Sequence, residues 1–437
     1  MERRSELLLT AIAGALLLGV PGARADETCQ SPYLPKITGQ EEYVYVWTLG
    51  IEGLGDGSDK LVTVDARPGS ATFGKVVASA SVGGRHEAHH GGPSDDRRRL
   101  WVGGLADSRI FIFDIASDPA KPKLLKTITD FEKATGGVAG PHGFYALPGR
   151  MLISALSNST DDGGRTALVE YNNDGEFIRT TWMPKGAEYG YDARIKPELN
   201  RLLTSSFTGR KNYMRNLGEL MGDAEAMKRF GNTMVLWDFH AMKPLQTFQV
   251  PGAPLEIRWA LGPRHYYAFT AAALTSKLWG VFRKQDGTFE AVELADIGDP
   301  AKIPLPVDMS LSSDDRFLFV STFMDGKLRV FDVSDPRAPK QVHERTLGNQ
   351  VNMVSQSWDG KRVYVTTSLL ANWDGTGHPD DQFLKAFGWD GKDFDPLFEI
   401  DFRAEKLGRP HIMNFGTGEL EAGRAAGVEP PSAEDPS

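Results

Sequence analysis

Three of the chain's nine histidines stand within five residues, at His86, His89 and His90. Imidazole is the commonest side-chain metal ligand, and the glycines that follow, Gly91 and Gly92, let backbone and ligand approach closely. A solvated polar loop that happens to contain histidine has the same local sequence. Taken alone, the stretch is therefore compatible with a metal site or with a polar loop, and the surrounding elements must distinguish them.

A β-rich unit recurs along the chain and would position these histidines. Residues 95–122 and 314–339 share one pattern: an apolar run, a turn, a second run ending in aspartate, and a proline-bounded loop. Less clear copies of the pattern occur between and after these two, and the units start at positions 99, 150, 201, 265, 316 and 362. The intervals are 51, 51, 64, 51 and 46 residues. A four-stranded propeller blade has a period of roughly 40–50 residues.

Seven such units predict an all-β, seven-bladed β-propeller over residues 26–416, followed by a disordered tail at 417–437. A β-sandwich is the alternative, but a regular period near 50 residues does not suit one. The long interval contains residues 213–230, whose composition predicts a short helical insertion in blade four. Because propellers close their ring, residues 410–415 are expected to form the innermost strand of the first blade.

The repeat brings distant residues to one mouth of the central channel. Each blade's innermost strand should lie just before its unit start, and His90 and His142 precede theirs by 9 and 8 residues. Asp192, Glu256 and Asp308 precede the next three starts by 9, 9 and 8 residues. Equivalent positions in a closed ring converge on its axis, so these side chains are expected to meet.

Four histidines are therefore predicted to share one metal site. They are His89, His90, His142 and His411. The alternative is a water-filled polar plug of histidine and carboxylate. An all-imidazole site suits zinc, copper, iron or nickel, and we favour copper because it binds nitrogen ligands most tightly among these ions. The alternative ion is zinc with one open coordination position, which would imply hydrolysis.

Charged side chains near the predicted metal could support it. They would pair with the N–H groups of ligand imidazoles or carry protons. The candidates are His86, Glu87, Glu256 and Asp308. For each carboxylate and for His86, a structural salt bridge along the channel is the alternative role.

Composition and the N-terminal sequence indicate where the protein works and which classes of partner it can have. The 437 residues carry a net charge of -9 without a long basic run, so nucleic acid is not an expected partner. Residues 1–25 read as an export signal, with Arg3 and Arg4, an apolar core at 7–20 and an A-x-A site at 23–25. No apolar run is long enough to predict a membrane span, and a periplasmic location is expected. The export route stays open.

Six stretches spread over residues 40–415 carry a likeness to known proteins, specific in their order and number. They are His86–His90, Asp107–Phe111, Pro254–Arg258, Leu311–Leu318, Val330–Pro336 and Ser357–Asp374. Together they resemble the selenium-binding protein family, whose bacterial exported members include methanethiol oxidases. The resemblance implies a seven-bladed propeller and a copper-dependent oxidoreductase acting on sulfur with oxygen as acceptor. It further implies that methanethiol, O2 and water become formaldehyde, hydrogen sulfide and hydrogen peroxide, with His89, His90, His142 and His411 as the family's histidines.

The chain departs from the family after the paired histidines. Many members have Cys-x-x-Cys where this chain has Gly91 to Asp96, and the only cysteine is Cys29. Selenium cannot bind through such a thiol here. Two other functions stay open. One is a non-enzymatic periplasmic propeller that binds metal or a partner, and the other is a zinc or calcium hydrolase such as a lactonase.

Overall fold

The computed structural model describes residues 30–417 except 36 and 38. The predicted export signal, residues 1–25, and the predicted tail beyond residue 417 lie outside the described residues. Within them, 28 strands form seven four-stranded antiparallel sheets, which confirms the predicted seven-bladed all-β propeller. None of the described helices is long and apolar enough to cross a membrane.

The strands follow the chain, four to a blade, from the channel outwards. Blades one to three contain β1 (Tyr43–Leu49), β2 (Lys60–Asp65), β3 (Val76–Ser81), β4 (Ala88–Pro93), β5 (Arg99–Gly104), β6 (Arg109–Asp114), β7 (Lys123–Ile128), β8 (Val138–Leu147), β9 (Arg150–Asn158), β10 (Ala167–Asn172) and β11 (Phe177–Trp182). Blades four and five contain β12 (Ala193–Lys196), β13 (Arg201–Thr204), β14 (Thr233–Asp238), β15 (Lys243–Gln249), β16 (Pro254–Trp259), β17 (Tyr267–Ala272), β18 (Lys277–Arg283) and β19 (Phe289–Asp296). Blades six and seven contain β20 (Pro306–Leu311), β21 (Phe317–Thr322), β22 (Lys327–Asp332), β23 (Lys340–Thr346), β24 (Val354–Gln356), β25 (Arg362–Thr366), β26 (Phe383–Trp389) and β27 (Phe394–Asp401), and β28 (Arg409–Gly416) closes the ring.

The last strand completes the first blade. β28 pairs antiparallel with β1, from Tyr43 opposite Gly416 to Leu49 opposite Arg409, and the sheet order is β28-β1-β2-β3. The expected closure by residues 410–415 is thus confirmed. Closure removes the open edge that an incomplete ring would present.

Short helices interrupt blade four, as the long repeat interval predicted. Between β13 and β14 they are α2 (Arg210–Tyr213), α3 (Leu217–Gly222) and α4 (Ala224–Met227). Elsewhere, α1 (Phe131–Ala134) connects β7 to β8, and 3-10 turns lie at Pro197–Leu199 and Pro300–Lys302. Asn216 caps α3 and Asp223 caps α4 by accepting backbone N–H bonds, which stabilises helices too short to persist alone. Leu217, Leu220 and Ala226 are buried and pack over the channel mouth.

A buried ion pair ties the last blade to the first. The Glu41 carboxylate, just before β1, accepts bonds from Nε and Nη2 of Arg362 at 2.5 and 2.9 Å. The hydroxyl of Tyr364 donates to the same carboxylate at 2.6 Å. Burial raises the pKa of Glu41, while the bonds from Arg362 and Tyr364 oppose that rise. The pair therefore depends on both partners being present.

Replacing Glu41 with alanine should lower the free energy of unfolding by about 3 kcal/mol, because the largely buried guanidinium of Arg362 loses its two closest carboxylate bonds and, among the described carboxylates, keeps only Asp359, at 3.3 Å. Urea unfolding followed by tryptophan fluorescence measures this. The matched control is Glu290→Ala, whose partner Arg337 lies 2.7 Å away with both side chains exposed. Exposed pairs contribute about 0–1 kcal/mol. Equal losses in the two variants would contradict a stabilising role for the buried Glu41–Arg362 pair.

Candidate metal centre

The structure brings the four predicted histidines together at the channel axis. The ring centroid of His89 lies 4.8 Å from that of His90, 5.0 Å from His142 and 3.9 Å from His411. The His90 ring lies 4.1 Å from His142 and 5.1 Å from His411. Candidate ligand nitrogens of His89, His90 and His411 all fall within 4.8 Å of one another, and His142 is outside that set. Nitrogens sharing one ion at about 2 Å lie within about 4 Å, close to this spacing.

Backbone bulges aim these side chains at the axis. Successive residues of a regular strand point to opposite faces, yet His89 and His90 both reach the cluster. In β4 these two residues oppose the single Gly103 of β5, which is a β-bulge. His142 in β8 and His411 in β28 lie at register shifts of the same kind. A bulge re-aims the side chains it carries, so the repeated bulge builds the site.

Hydrogen bonds fix which imidazole nitrogen stays free. Nδ1 of His142 donates to the carbonyl of Tyr191 at 3.1 Å, and Nδ1 of His411 donates to the carbonyl of Ser368 at 2.6 Å. A carbonyl can only accept, so these Nδ1 atoms carry the hydrogen and each Nε2 keeps a lone pair. This is the second contact that metal-binding histidines usually make.

Within the part of the chain that the structure describes, four buried imidazole nitrogens at the cluster have no hydrogen-bond partner. They are Nδ1 of His89 and the Nε2 atoms of His90, His142 and His411. Leaving a buried polar atom unpaired costs about 1–3 kcal/mol, so four at one point are costly unless something binds them. Their type and convergence fit a copper or zinc ion.

The histidines are held neutral, the form that binds metal. Burial, reinforced by the neighbouring imidazoles, lowers the pKa of His89 and His90 well below the usual value. Burial also lowers the pKa of His142 and of His411 to about 3. Metal ions bind deprotonated imidazole, so no proton has to leave the cluster at neutral pH.

A layer of ion pairs lies next to the histidines in the channel. Arg258 donates to Oε2 of Glu256 at 2.8 Å and to Oδ1 of Asp308 at 2.7 Å. Arg194 donates through Nε to Oδ2 of Asp192 at 2.8 Å. The five side chains are nearly all buried, and the three carboxylates outnumber the two guanidinium groups. The layer carries one net negative charge only when all three carboxyl groups are ionised.

Burial dominates the titration of this layer. It raises the pKa of Glu256 to about 8, helped by Asp192 and opposed by Arg258. It raises the pKa of Asp308 to about 6, with Arg258 opposing. Asp192 differs, because Arg194 and Arg258 outweigh its burial and lower its pKa. Glu256 is thus the carboxyl that carries a proton at neutral pH.

Comparisons with known proteins identify the family. The family model described as "56kDa selenium binding protein (SBP56)" matches residues 23–418. The chain belongs to the selenium-binding protein family. Relatives named "Methanethiol oxidase" are 59% identical in Ruegeria pomeroyi, over 93% of this chain and 97% of the relative, and 57% identical in a Hyphomicrobium species, over 94% and 95%. A crystal structure of a hypothetical selenium-binding protein from Sulfolobus tokodaii superposes with a TM-score of 0.77 at 25% identity, covering 87% of this chain and 95% of that one.

The expected supporting residues of this family member are only partly near the histidines. Oε1 of Glu256 lies 3.9 Å from Nε2 of His90. Asp308 instead bonds Arg258 and the backbone N–H of Val354.

The structure does not bring His86 to the cluster. Its Nδ1 contacts Asp107 at 2.8 Å, and its ring lies 5.2 Å from Phe111. Glu87 accepts a bond from the backbone N–H of Ala371 at 2.7 Å, and burial raises its pKa to about 8. The positive φ of Glu87, 61°, turns the chain between these residues and the paired histidines. Both side chains therefore have structural partners of their own.

Sequence reasoning missed the cations of the channel and one aromatic contact. Arg194 and Arg258 each follow a channel carboxylate by two residues, the period of a strand, so the signal was present. The ring of Tyr191 lies 4.1 Å from that of His142, a contact between neighbouring blades that no local pattern indicates.

Proposed function

We propose that this chain is an oxidoreductase of small thiols that uses oxygen as acceptor. Its reaction converts methanethiol, O2 and water to formaldehyde, hydrogen sulfide and hydrogen peroxide. The observation that carries the proposal is the convergence of four partnerless buried imidazole nitrogens in a chain 57–59% identical to proteins named methanethiol oxidase.

We propose copper as the metal, held by His89, His90 and His411, with His142 beside them. Bound copper would supply a redox centre with affinity for soft sulfur and the ability to pass electrons to oxygen. The histidines contribute neutral donors whose orientation is fixed by bonds to backbone carbonyls.

The charged residues beside the histidines would exchange protons with the site and hold its carboxylates in place. In the overall reaction two electrons leave the methyl carbon, water supplies the oxygen of formaldehyde, and O2 takes up two electrons and two protons. Glu256 borders His90 and carries a proton near neutral pH, so it can exchange protons with the site. Arg194 and Arg258 hold the neighbouring carboxylates in place.

Purified protein reconstituted with copper tests the proposal directly. Incubation with methanethiol in air should yield all three products in equal amounts, and removing oxygen should stop their formation. Metal-free and zinc-reconstituted protein are the controls and should form none. If copper-bound protein forms none of the products, a periplasmic propeller that binds metal or a partner without turnover replaces the oxidase.

Metal affinity should change by less than about tenfold between pH 7 and pH 5. An exposed histidine titrates near 6.5, so between pH 7 and pH 5 the neutral fraction of each such ligand would fall roughly 25-fold. Here burial keeps the pKa of His142 and His411 at about 3, so their neutral form persists through this window. Titration against a competing chelator at several pH values measures the Kd. A steep loss on acidification would mean that the ligands are accessible to protons.

We also propose that the protein works in the periplasm. The support is the signal pattern in residues 1–25. Fractionation of cells that express the full chain should find it in the periplasm, shortened by about 25 residues in mass analysis. Full-length protein in the cytoplasm would contradict this.

A further inference from the structure

An apolar cavity borders the histidine cluster on the side of the helical insertion. Its wall includes His89, Tyr191 and several large apolar side chains. The latter include Phe207, Leu255, Leu305, Leu369 and Trp373. These side chains belong to one buried apolar cluster that also contains Leu217 and Leu220 of α3. The cavity therefore lies between the histidines and the insertion.

The two sides of the cluster differ in polarity. His90 borders the cavity that is lined by Arg194, Glu256, Arg258 and Asp308. His89 borders the cavity of leucines and aromatic rings. A molecule with a polar or reactive end and an apolar end matches this division, because each end meets surroundings of its own kind.

The insertion and one loop cap the apolar cavity. Nε1 of Trp373 donates to the carbonyl of Arg215 at 3.1 Å, and Nδ2 of Asn372 donates to the carbonyl of Met214 at 2.6 Å. The Trp373 ring also lies 6.0 Å from Phe207. These contacts join blade seven to the insertion of blade four and keep water from the apolar side of the cluster.

The cavity volume is about 20 Å³. A water-sized group needs roughly 10–15 Å³. The space thus suits one methyl group and little more.

We propose that this cavity receives the alkyl group of the thiol and that Leu305 and Leu255 limit that group to a single carbon. The inference rests on the proposed thiol oxidase function. With the sulfur at the histidines, the methyl group of methanethiol lies among the leucines. A longer chain would have to displace close-packed side chains, which is unfavourable in a protein interior.

Substrate length tests the inference. In the copper-bound wild type, kcat/KM should fall by about tenfold or more for each methylene added from methanethiol to ethanethiol to 1-propanethiol. Leu305→Ala should raise kcat/KM for ethanethiol relative to that for methanethiol by about tenfold. The matched control is Leu311→Ala in the same blade, since Leu311 is equally buried but packs in a different apolar cluster. Its ratio should equal that of the wild type.

A second measurement needs neither turnover nor a variant. Xenon is close to a methyl group in radius, and wild-type crystals under xenon pressure should show its density between Leu305, Leu255 and Trp373. Equal use of the three thiols by the wild type, an unchanged ratio in Leu305→Ala, or xenon absent from this cavity would each overturn the inference. If no thiol is oxidised, the proposed function fails, and the xenon result alone decides whether the cavity accepts an alkyl-sized group.

Discussion

Replacing His411 with alanine should weaken metal binding by more than about 100-fold and abolish thiol oxidation. Loss of a group that merely supports a metal ligand costs about 10–100-fold in affinity, and His411 offers a ligand nitrogen itself. The propeller should stay folded. The change removes the hydrogen-bond contacts of Nδ1 with the Ser368 carbonyl and with the Asn352 side-chain amide, at about 1 kcal/mol each. Metal content after dialysis, product formation and urea unfolding measure the three effects.

Two comparison variants test whether the effects of His411→Ala come from losing a metal ligand rather than from losing a histidine elsewhere in the protein. His240 is exposed, so His240→Ala should change neither metal content nor turnover. His142→Ala should bind metal more tightly than His411→Ala, because the His142 nitrogen lies outside the close set formed by His89, His90 and His411. If His411→Ala retains stoichiometric metal and full turnover, the histidine cluster is a polar plug of the channel, and the metal and the thiol oxidation lie elsewhere in the protein.

The fold could be predicted because its repeat is visible in the sequence. Paired apolar runs recur at nearly constant intervals, and the structure has a blade at each of them. Convergence of His142 and His411 with the paired histidines followed from their positions before each run. The sequence prediction placed both His89 and His90 in the site but gave no local mechanism for it, since strand alternation alone sends one of two neighbours away from the axis. The bulge opposite Gly103 resolves this, and a bulge depends on pairing with the next strand.

The supporting contacts could not be predicted because they join residues far apart in the chain. His86 stands three residues before His89, but the turn at Glu87 sends its ring to Phe111. The helical insertion was predicted from composition. Its contact with Trp373 was not, because that contact depends on closure of the whole ring.

Replacing Arg258 with leucine should lower the free energy of unfolding by about 3–5 kcal/mol, the usual cost of leaving buried charges without their partner. Its guanidinium is 6% exposed and bonds both Glu256 and Asp308 as well as the carbonyl of Met309. Arg258→Lys keeps the charge but cannot make the forked contact, so its free energy of unfolding should lie between those of the wild type and Arg258→Leu. Arg337→Leu, which removes an exposed guanidinium, should cost less than about 1 kcal/mol.

The pH dependence of the Arg258→Leu deficit identifies its cause. Burial already raises the pKa of Glu256 to about 8 and that of Asp308 to about 6 with Arg258 opposing, so its loss raises both further. A carboxyl whose folded pKa lies above its unfolded value of about 4 binds its proton more tightly when folded, which favours the folded state at low pH. The deficit relative to the wild type should therefore be smaller at pH 5.5 than at pH 8. A deficit that does not change between these pH values would mean that lost packing, rather than uncompensated carboxylate charge, destabilises the variant.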